Sequence, residues 1–310
     1  MRRALVGVLL ALALAIGGCG GGDGGSGDAT TSSTSGDAAA GPPLRMGTKN
    51  FPEAVLLGEL YSQALRAKGV RVVLKPNIGS SEIIHEALTG GALDIYPEYI
   101  GVLLSEVAND RSRPGDPRAA YRAAKAFEER NGFTLLGMTP FSDSNALAVT
   151  PEFAREHDLR TIADLRRVPG TVRIGAPPEF ATRFEGLVGL RQRYGLRNVH
   201  TTALAIGRQY AALDAGRVDA AAVFTTDGQL SRKRYVLLED PRGVFAAQHV
   251  APVVSRAALR AHGPQLTQVA DAVSRRLTAP AMRRMNAALV LEGREPRAVA
   301  DEFLRQAKLK

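Results

Sequence analysis

Apolar and polar positions follow two different periods along residues 44–310. Short, predominantly apolar runs predict buried β-strands, and these runs are residues 44–47, 70–74, 93–96, 146–149, 172–176 and 220–224. Between them, apolar residues recur every three or four positions, which predicts amphipathic helices at residues 53–68, 81–89, 118–130, 182–194, 208–215 and 265–277. Residues 279–310 are predicted to be helical with a break at Gly293. Strands that alternate with helices predict an α/β architecture.

An internal repeat divides this region into two similar parts. Residues 87–94 and 212–219 share the pattern Ala-Leu-x-x-Gly-x-(Leu/Val)-Asp, displaced by 125 positions. Each copy predicts a helix end, a glycine stop and a strand start, unless the match is a coincidence of common residues. Tyr99 and Phe224 each follow the aspartate of their copy by five residues. Two lobes built this way would place one aromatic ring on each side of a cleft, at the carboxyl ends of their strands.

The N-terminus has the features of an export signal. Arg2 and Arg3 precede an apolar run of 13 residues at positions 4–16, and Gly17-Gly18-Cys19 follows. This order predicts a secretory signal peptide over residues 1–18. A permanent transmembrane anchor is the alternative, but this run is too short to cross ~30 Å of hydrocarbon as a helix.

Cys19 is the only cysteine of the chain, and its position after the apolar run resembles a bacterial lipobox, in which this cysteine is acylated. An incidental cysteine in a discarded peptide is the alternative. Residues 20–43 contain no aromatic residue, Leu, Ile or Val, so they cannot bury enough apolar area to fold. We expect residues 19–43 to be a lipidated cysteine and a flexible linker with a reach of ~27 Å. The expected location is the extracytoplasmic face of the cell membrane, held by the lipid.

The formal net charge of +9 changes this picture little. The basic residues are scattered, which is typical of a solvated surface, and attraction to anionic lipid headgroups is the alternative. No basic stripe with interleaved aromatic residues occurs, so nucleic acid is not an expected partner. Residues 44–310 are numerous enough to form two lobes with separate cores.

An enzyme would need a reactive set of residues, and the sequence offers none that is convincing. The five histidines form no His-Glu-x-x-His pattern, no Gly-x-Ser-x-Gly elbow occurs, and Gly47-Thr48-Lys49 lacks the preceding glycine of a Walker loop. His249, beside Gln248, is the one possible exception, and a hydrogen-bonded structural histidine is the favoured interpretation. We therefore expect no catalysis, no metal and no cofactor.

An ordered set of motifs, rather than any single one, connects the chain to a known family. The motifs are GTKNF at 47–51, NIGSSE at 77–82, DIYPEYIG at 94–101, NALAV at 145–149, EFATR at 179–183, FTTDG at 224–228, LED at 238–240 and APVV at 251–254. Together they resemble the glycine betaine/carnitine/choline-binding proteins of osmoprotectant ABC transporters. The resemblance implies a type II periplasmic-binding-protein fold in which two α/β lobes enclose a ligand by closure. Lobe one is expected to comprise residues 44–145 plus 252–310, and lobe two residues 146–251.

The resemblance also implies partners and site residues. The expected partners are a small-molecule ligand and the membrane permease and ATPase subunits of an ABC importer, with the binding protein itself a monomer. Lys49 and Arg183 match the positions that grip a ligand carboxylate, and Tyr99 matches a tyrosine of the cage that holds a quaternary ammonium by cation–π attraction. Asn50 and Thr225 lie in the same motifs and are further candidate ligand-binding residues.

The chain departs from the family pattern at the cage. The other cage tyrosines match Asn145, Phe224 and Gln248, which leaves two rings of four. Fewer rings and two amides predict weak binding of glycine betaine and preference for a zwitterion that carries N–H, hydroxyl or ring nitrogen groups. Neighbouring aromatic residues could instead rebuild the cage, and the candidates are Tyr96, Phe141 and Phe245. Alternative functions are binding of a different polar zwitterion, or a sensory or structural role as a surface lipoprotein.

Overall fold

Two five-stranded β-sheets, flanked by helices, contain the strands of the protein. The computed structural model describes residues 42–110, 112, 116–232 and 234–310. The predicted signal peptide, Cys19 and nearly all of the predicted linker therefore lie outside the described residues. The strands are β1 (Leu44–Lys49), β2 (Val72–Gly79), β3 (Ile95–Tyr99), β4 (Phe133–Leu135), β5 (Asn145–Val149), β6 (Val172–Ala176), β7 (Val199–Ala203), β8 (Ala220–Phe224), β9 (Val236–Leu238) and β10 (Val250–Ser255).

The helices are mostly α-helical, with short 3₁₀ and π segments between them. The α-helices are α1 (Pro52–Ala67), α2 (Ser81–Thr89), α3 (Ile100–Val102), α4 (Pro117–Arg130), α5 (Pro151–Glu156), α6 (Gly189–Tyr194), α7 (Arg208–Asp214), α8 (Arg256–Arg276), α9 (Ala279–Val290) and α10 (Pro296–Gln306). The 3₁₀ helices are Ile162–Arg167, Pro178–Ala181 and Gly228–Arg232, and the π-helices are Leu103–Val107 and Phe184–Val188. Among the described residues, no helix is both long and apolar enough to cross a membrane.

The two sheets have the same topology. The strand order is β2-β1-β3-β10-β4 in the first sheet and β7-β6-β8-β5-β9 in the second. In each sheet, three neighbouring strands are parallel and the fourth is antiparallel to them. The chain enters the second sheet through its antiparallel strand, β5, and returns to the first sheet through the equivalent strand, β10. Alternate residues of β10 enter different clusters, Val250 and Val254 with α1 and α8, and Ala251 and Val253 with α2 and α4. Each face of the first sheet is therefore covered by helices.

The chain crosses between the sheets twice, and the two crossing segments lie side by side. Ser142 and His249 form an isolated antiparallel bridge, and the Asp143 amide donates to the Gln248 carbonyl oxygen at 2.9 Å. Asn145, expected in lobe one, pairs with Phe224 in the second sheet. Val250 and Ala251, expected in lobe two, pair with Tyr99 and Glu98 in the first sheet. These differences of one and two residues follow from strand register, which sequence periodicity does not fix.

The internal repeat has a physical counterpart in each sheet. The guanidinium of Arg45 in β1 holds the Asp94 carboxylate through Nη2 and Nε at 2.6 and 2.9 Å, and the Arg45 amide donates to it at 2.8 Å. Arg173 in β6 binds Asp219 through the same three groups, at 2.7, 3.0 and 2.7 Å. Burial raises the pKa of each carboxyl, but the arginine bonds outweigh it and lower both pKa values. The repeat therefore marks equivalent strand–helix–strand units.

The segment predicted as one helix at residues 182–194 is broken in the structure. Arg183 is extended, and Gly186 has φ −163° and ψ −142° within the π-helix before α6 begins at Gly189. A Cβ on Gly186 would lie 2.2 Å from the carbonyl oxygen of Phe180, so only glycine allows the backbone to pass there. This kink places Glu185 beside the cleft.

Candidate functional site

A pocket lies between the two sheets, and both contribute to its walls. Its empty space, including the open mouth, is about 770 Å³. Seven of the eight predicted ligand-binding residues line it, namely Lys49, Asn50, Tyr99, Asn145, Arg183, Phe224 and Gln248. The eighth, Thr225, lies beside the pocket, where its hydroxyl accepts a hydrogen bond from the Ser144 amide at 3.0 Å.

Aromatic rings from both sides meet in this pocket. The Phe51 ring stacks on Phe224 with centroids 5.7 Å apart and an interplanar angle of 18°. Phe51 also contacts Tyr99, with centroids 5.7 Å apart and the rings tilted by 40°. Phe180 is a further lining residue. Phe51 stands in the GTKNF motif directly after Asn50, but it was not among the predicted site residues.

The aromatic residues suggested as replacements for the cage are not the ones that line the pocket. Tyr96 and Phe141 are fully buried in the cores of the first sheet. Phe245 packs against Phe180 at a centroid distance of 6.4 Å and belongs to the second core. The three named residues were therefore the wrong choice, although other neighbouring rings, Phe51 and Phe180, do line the pocket.

The ammonium of Lys49 is buried in the pocket wall and has polar partners on its own side of the cleft. Nζ donates to Glu98 Oε1 at 2.7 Å and to Ser81 Oγ at 3.0 Å. It also lies 4.2 Å from the centroid of the Tyr99 ring, a cation–π distance. Ser81 begins helix α2, whose N-terminal amides favour an anion. A positive group and a helix N-terminus therefore share this end of the pocket.

Arg183 bridges the cleft. Its Nη2 lies 2.8 and 2.9 Å from the two carboxylate oxygens of Glu82 in α2, and its Nε lies 3.6 Å from Glu106 Oε2. Both carboxylates follow strands of the first sheet, whereas Arg183 lies between β6 and β7 of the second. Burial raises the pKa of Glu82, but hydrogen bonds from Ser80 and Arg183 outweigh burial and lower it. The arginine thus already engages protein carboxylates across the cleft.

Two predicted amides surround a carboxylate that the sequence analysis missed. Gln248 Nε2 donates to Glu185 Oε2 at 2.7 Å, and its Oε1 accepts the Val102 amide at 3.0 Å. Asn145 Nδ2 reaches the same Glu185 oxygen at 3.5 Å, the long limit of a hydrogen bond. Gln248 is 2% exposed and Glu185 6%. Both predicted amides therefore have hydrogen-bond partners within the protein. Glu185 was hidden because its segment was predicted to be a regular helix.

A second carboxylate, Glu53, is buried beneath the rings. Glu53 Oε1 accepts the Tyr99 hydroxyl at 2.7 Å, and Oε2 accepts the Thr226 hydroxyl at 2.6 Å and Asn286 Nδ2 at 2.5 Å. Burial raises the pKa of Glu53, and these three hydrogen bonds partly offset that rise. Burial and the neighbouring Glu53 charge also raise the pKa of Asp143 well above its usual range. This polar cluster links residues of the first sheet's side to Thr226, which follows β8 of the second.

His249, the possible exception to a purely binding site, has a structural partner. Its Nδ1 lies 3.0 Å from the carbonyl oxygen of Thr139, and its backbone carbonyl accepts the Ile100 amide at 2.9 Å. Among the described residues, no group of His, Cys, Asp and Glu side chains is arranged to hold a metal ion.

Comparison with known proteins agrees with this geometry. Residues 42–306 match the family model for the substrate-binding domain of ABC-type glycine betaine transport systems. The glycine betaine-binding protein YehZ of Escherichia coli is 30% identical over 279 residues, which cover 86% of this chain and 91% of that protein. A glycine-betaine-binding protein of Pseudomonas aeruginosa is 32% identical over 277 residues, covering 86% and 88%.

A solved structure gives the same result for the fold. The crystal structure described as a glycine betaine/carnitine/choline ABC transporter is 25% identical, has a TM-score of 0.70, and is matched over 86% of this chain and 99% of that one. The two mixed sheets and their topology are those of a type II periplasmic-binding-protein fold. The chain therefore belongs to the family of substrate-binding proteins of glycine betaine-type ABC transporters.

Proposed function

We propose that this protein captures a small zwitterionic or quaternary-ammonium solute outside the cytoplasmic membrane and delivers it to an ABC importer. The observation that carries the proposal is the row of rings across the pocket. Phe51 and Tyr99 come from the first sheet's side and Phe224 from the second, with both ring pairs 5.7 Å apart. Ring faces attract a cation that has no hydrogen-bond donors, and glycine betaine is the ligand named for two relatives of this chain.

We assign lobe one to residues 44–144 plus 250–310 and lobe two to residues 145–249, which moves the two expected boundaries by one and two residues. Membership of the two sheets supports this assignment, as do the paired crossing segments around Ser142 and His249. Only two short segments connect such lobes, so closure about them is the natural motion.

The anionic end of the ligand is assigned to the first turn of α2. Ser81, the α2 amides and the Lys49 ammonium converge there, and Arg183 stands opposite. A ligand carboxylate at this point would exchange for, or share, the contacts that Glu98 and Glu82 make with the two cations. Asn50 and Asn145 complete the proposed polar contacts, and Thr225 supports the crossing segment behind them.

The proposed attachment is a lipid at Cys19 after removal of residues 1–18, with residues 19–43 as the linker. The permease and ATPase subunits of the transporter are the proposed partners, the protein acting as a monomer without catalysis. An uptake assay separates import from a sensory or structural role. If the role is sensory or structural, cells that lack the protein would import its ligand normally.

Calorimetric titration of the mature chain in detergent with glycine betaine, choline, carnitine and dimethylglycine tests the proposal. We expect at least one of these to bind, and Phe224→Ala to weaken it at least tenfold, because the ring that stacks on Phe51 is lost. Phe127→Ala, at a ring that contacts His85 outside the pocket, is the matched control and should retain the affinity. Absence of binding by all four compounds, or equal affinity in Phe224→Ala, would contradict the proposal.

A further inference from the structure

The pocket contains carboxylates as well as the two cations Lys49 and Arg183. Lys49 is bonded to Glu98, and Arg183 to Glu82 with Glu106 nearby, so both positive groups already have carboxylate partners. Glu185 adds a further carboxylate to the wall of the same pocket. The site is therefore built to receive positive charge as much as negative charge.

Glu185 is held in a defined orientation. It is 6% exposed, and Gln248 Nε2 fixes its Oε2 at 2.7 Å. Gln248 is itself fixed by the Val102 amide, and it lies against Gly101, where a Cβ would come within 2.5 Å of Nε2. Gly186 provides the backbone kink that turns Glu185 toward the pocket. A buried carboxylate is costly unless it is hydrogen-bonded, and Gln248 supplies one such donor.

The chemistry of a carboxylate differs from that of a ring in one respect that a ligand can sense. A ring face attracts a trimethylammonium and a protonated amine alike. A carboxylate accepts hydrogen bonds, and a charge-assisted N–H···O bond is roughly twice as strong as a neutral one. A quaternary nitrogen has no N–H to donate, whereas a protonated tertiary amine, a guanidinium or an imidazolium does.

We propose that Glu185 is a specificity-determining residue that selects ligands whose cationic end carries at least one N–H. This proposal rests on the proposed function and specifies its substrate class: an N–H-bearing cation, rather than a fully methylated one, lies between the rings and Glu185. Gln248 and Asn145, at positions that match cage tyrosines, are positioning residues for this carboxylate. The loss of tyrosines and the presence of Glu185 are then parts of one change in specificity.

Ligand pairs that differ by a single N-methyl group provide the test. The mature chain is titrated at pH 7 with dimethylglycine against glycine betaine, and with dimethylethanolamine against choline. We expect the protonated member of a pair to bind at least tenfold more tightly, a difference of 1.4 kcal/mol. In Glu185→Gln the amide can still accept from Gln248, so the fold is retained, and this preference should fall below twofold. Because both members of a pair carry the same net charge, the ratio of their affinities does not depend on net charge.

Two further variants keep the test decisive. Glu185→Asp retains the charge but withdraws the oxygen, and should give an intermediate preference. Glu152→Gln removes one negative charge on exposed helix α5 and should leave the preference at its wild-type value. A wild-type preference for the quaternary member, or a preference that Glu185→Gln leaves unchanged, would overturn the proposal while the binding function stands. If no member of either pair binds the wild-type chain, the proposed function fails together with this inference.

Discussion

The hydroxyl of Thr226 offers a direct test of how the two sides of the molecule are joined beneath the pocket. It donates at 2.6 Å to the buried carboxylate of Glu53, and Thr226 is 1% exposed. Thr226→Val keeps the size of the side chain and removes this donor. Tyr99 and Asn286 would remain as the other donors to Glu53.

The size of the effect follows from the charge of Glu53. A hydrogen bond to a charged group contributes about 1.5–3 kcal/mol, whereas a neutral one contributes about 0.5–1.5 kcal/mol. Burial already raises the pKa of Glu53, and loss of a donor that lowers it raises the pKa further. The variant holds its proton more tightly in the folded state than the wild type does. The stability that Thr226→Val loses relative to the wild type therefore grows as the pH rises, because the carboxyl must then ionise with one donor fewer.

Thermal and urea unfolding at pH 5 and pH 8 measure this. We expect Thr226→Val to lower the Tm at pH 8 by about 3–12 °C, at ~2–4 °C per kcal/mol for a chain of this size, and by less at pH 5. Thr202→Val on the exposed part of β7 is the matched control and should stay within about 0.5 kcal/mol of the wild type. A Tm within 1 °C of the wild type at pH 8, or a larger loss at pH 5, would refute the reasoning.

Two other predictions concern protonation and location. Burial raises the pKa of Asp227 to about 6, so the folded state binds more protons than the unfolded state between pH ~4 and 6, and this carboxyl lowers stability as the pH rises through that window. Between pH 4.5 and 7, the free energy of unfolding of Asp227→Asn should therefore rise by about 2 kcal/mol relative to that of the wild type, as measured by urea unfolding. An equal change of this free energy in both proteins would contradict the prediction. Cys19→Ser should move the protein from the membrane to the soluble fraction with an unchanged Tm, and a variant that stays membrane-bound would exclude the lipid anchor.

The sequence predicted most accurately the two strands at the centre of the second sheet. Residues 172–176 and 220–224 match β6 and β8 at both ends, because central parallel strands have largely apolar sequences. Strand β7 was missed, since only Val199 is buried while His200, Ala203 and their neighbours are partly or fully exposed. Its sequence therefore has neither a continuous apolar run nor an alternating pattern.

Strand β10 was missed for a different reason. It contains Pro252, and proline in a strand sequence argues against a central position. In the structure Pro252 faces Pro97 of β3 across an antiparallel pair. Residues that face each other in such a pair exchange either both N–H···O bonds or none, so two facing prolines occupy a pair that needs no N–H. The exception depends on two residues 155 positions apart, which no local pattern contains.

Residue identity located the site better than it predicted the contacts within it. Seven predicted residues line one pocket because motifs at strand ends meet where two sheets face each other. The partners of Lys49 and Arg183 were not predictable, since Glu98 and Glu82 reach them only through the tertiary arrangement. Glu185 was hidden by a helical pattern that Gly186 interrupts through its contact with the Phe180 backbone, a contact that sequence spacing does not encode.

In the proposed binding mode, the carboxylates of Glu98 and Glu82 decide which end of a ligand sets its affinity. A ligand carboxylate that approaches Lys49 and Arg183 exchanges one set of charge-assisted bonds for another, because Glu98 and Glu82 already hold both cations. The net binding free energy at the carboxylate end is therefore the small difference between two similar sets of bonds. It is nearly the same for every zwitterion with a carboxylate. The cationic end meets rings that discriminate little between methylated and protonated nitrogen, and a carboxylate, Glu185, that discriminates strongly. Selection among otherwise similar zwitterions therefore falls to the part of the pocket in which this chain departs from the tyrosine cage.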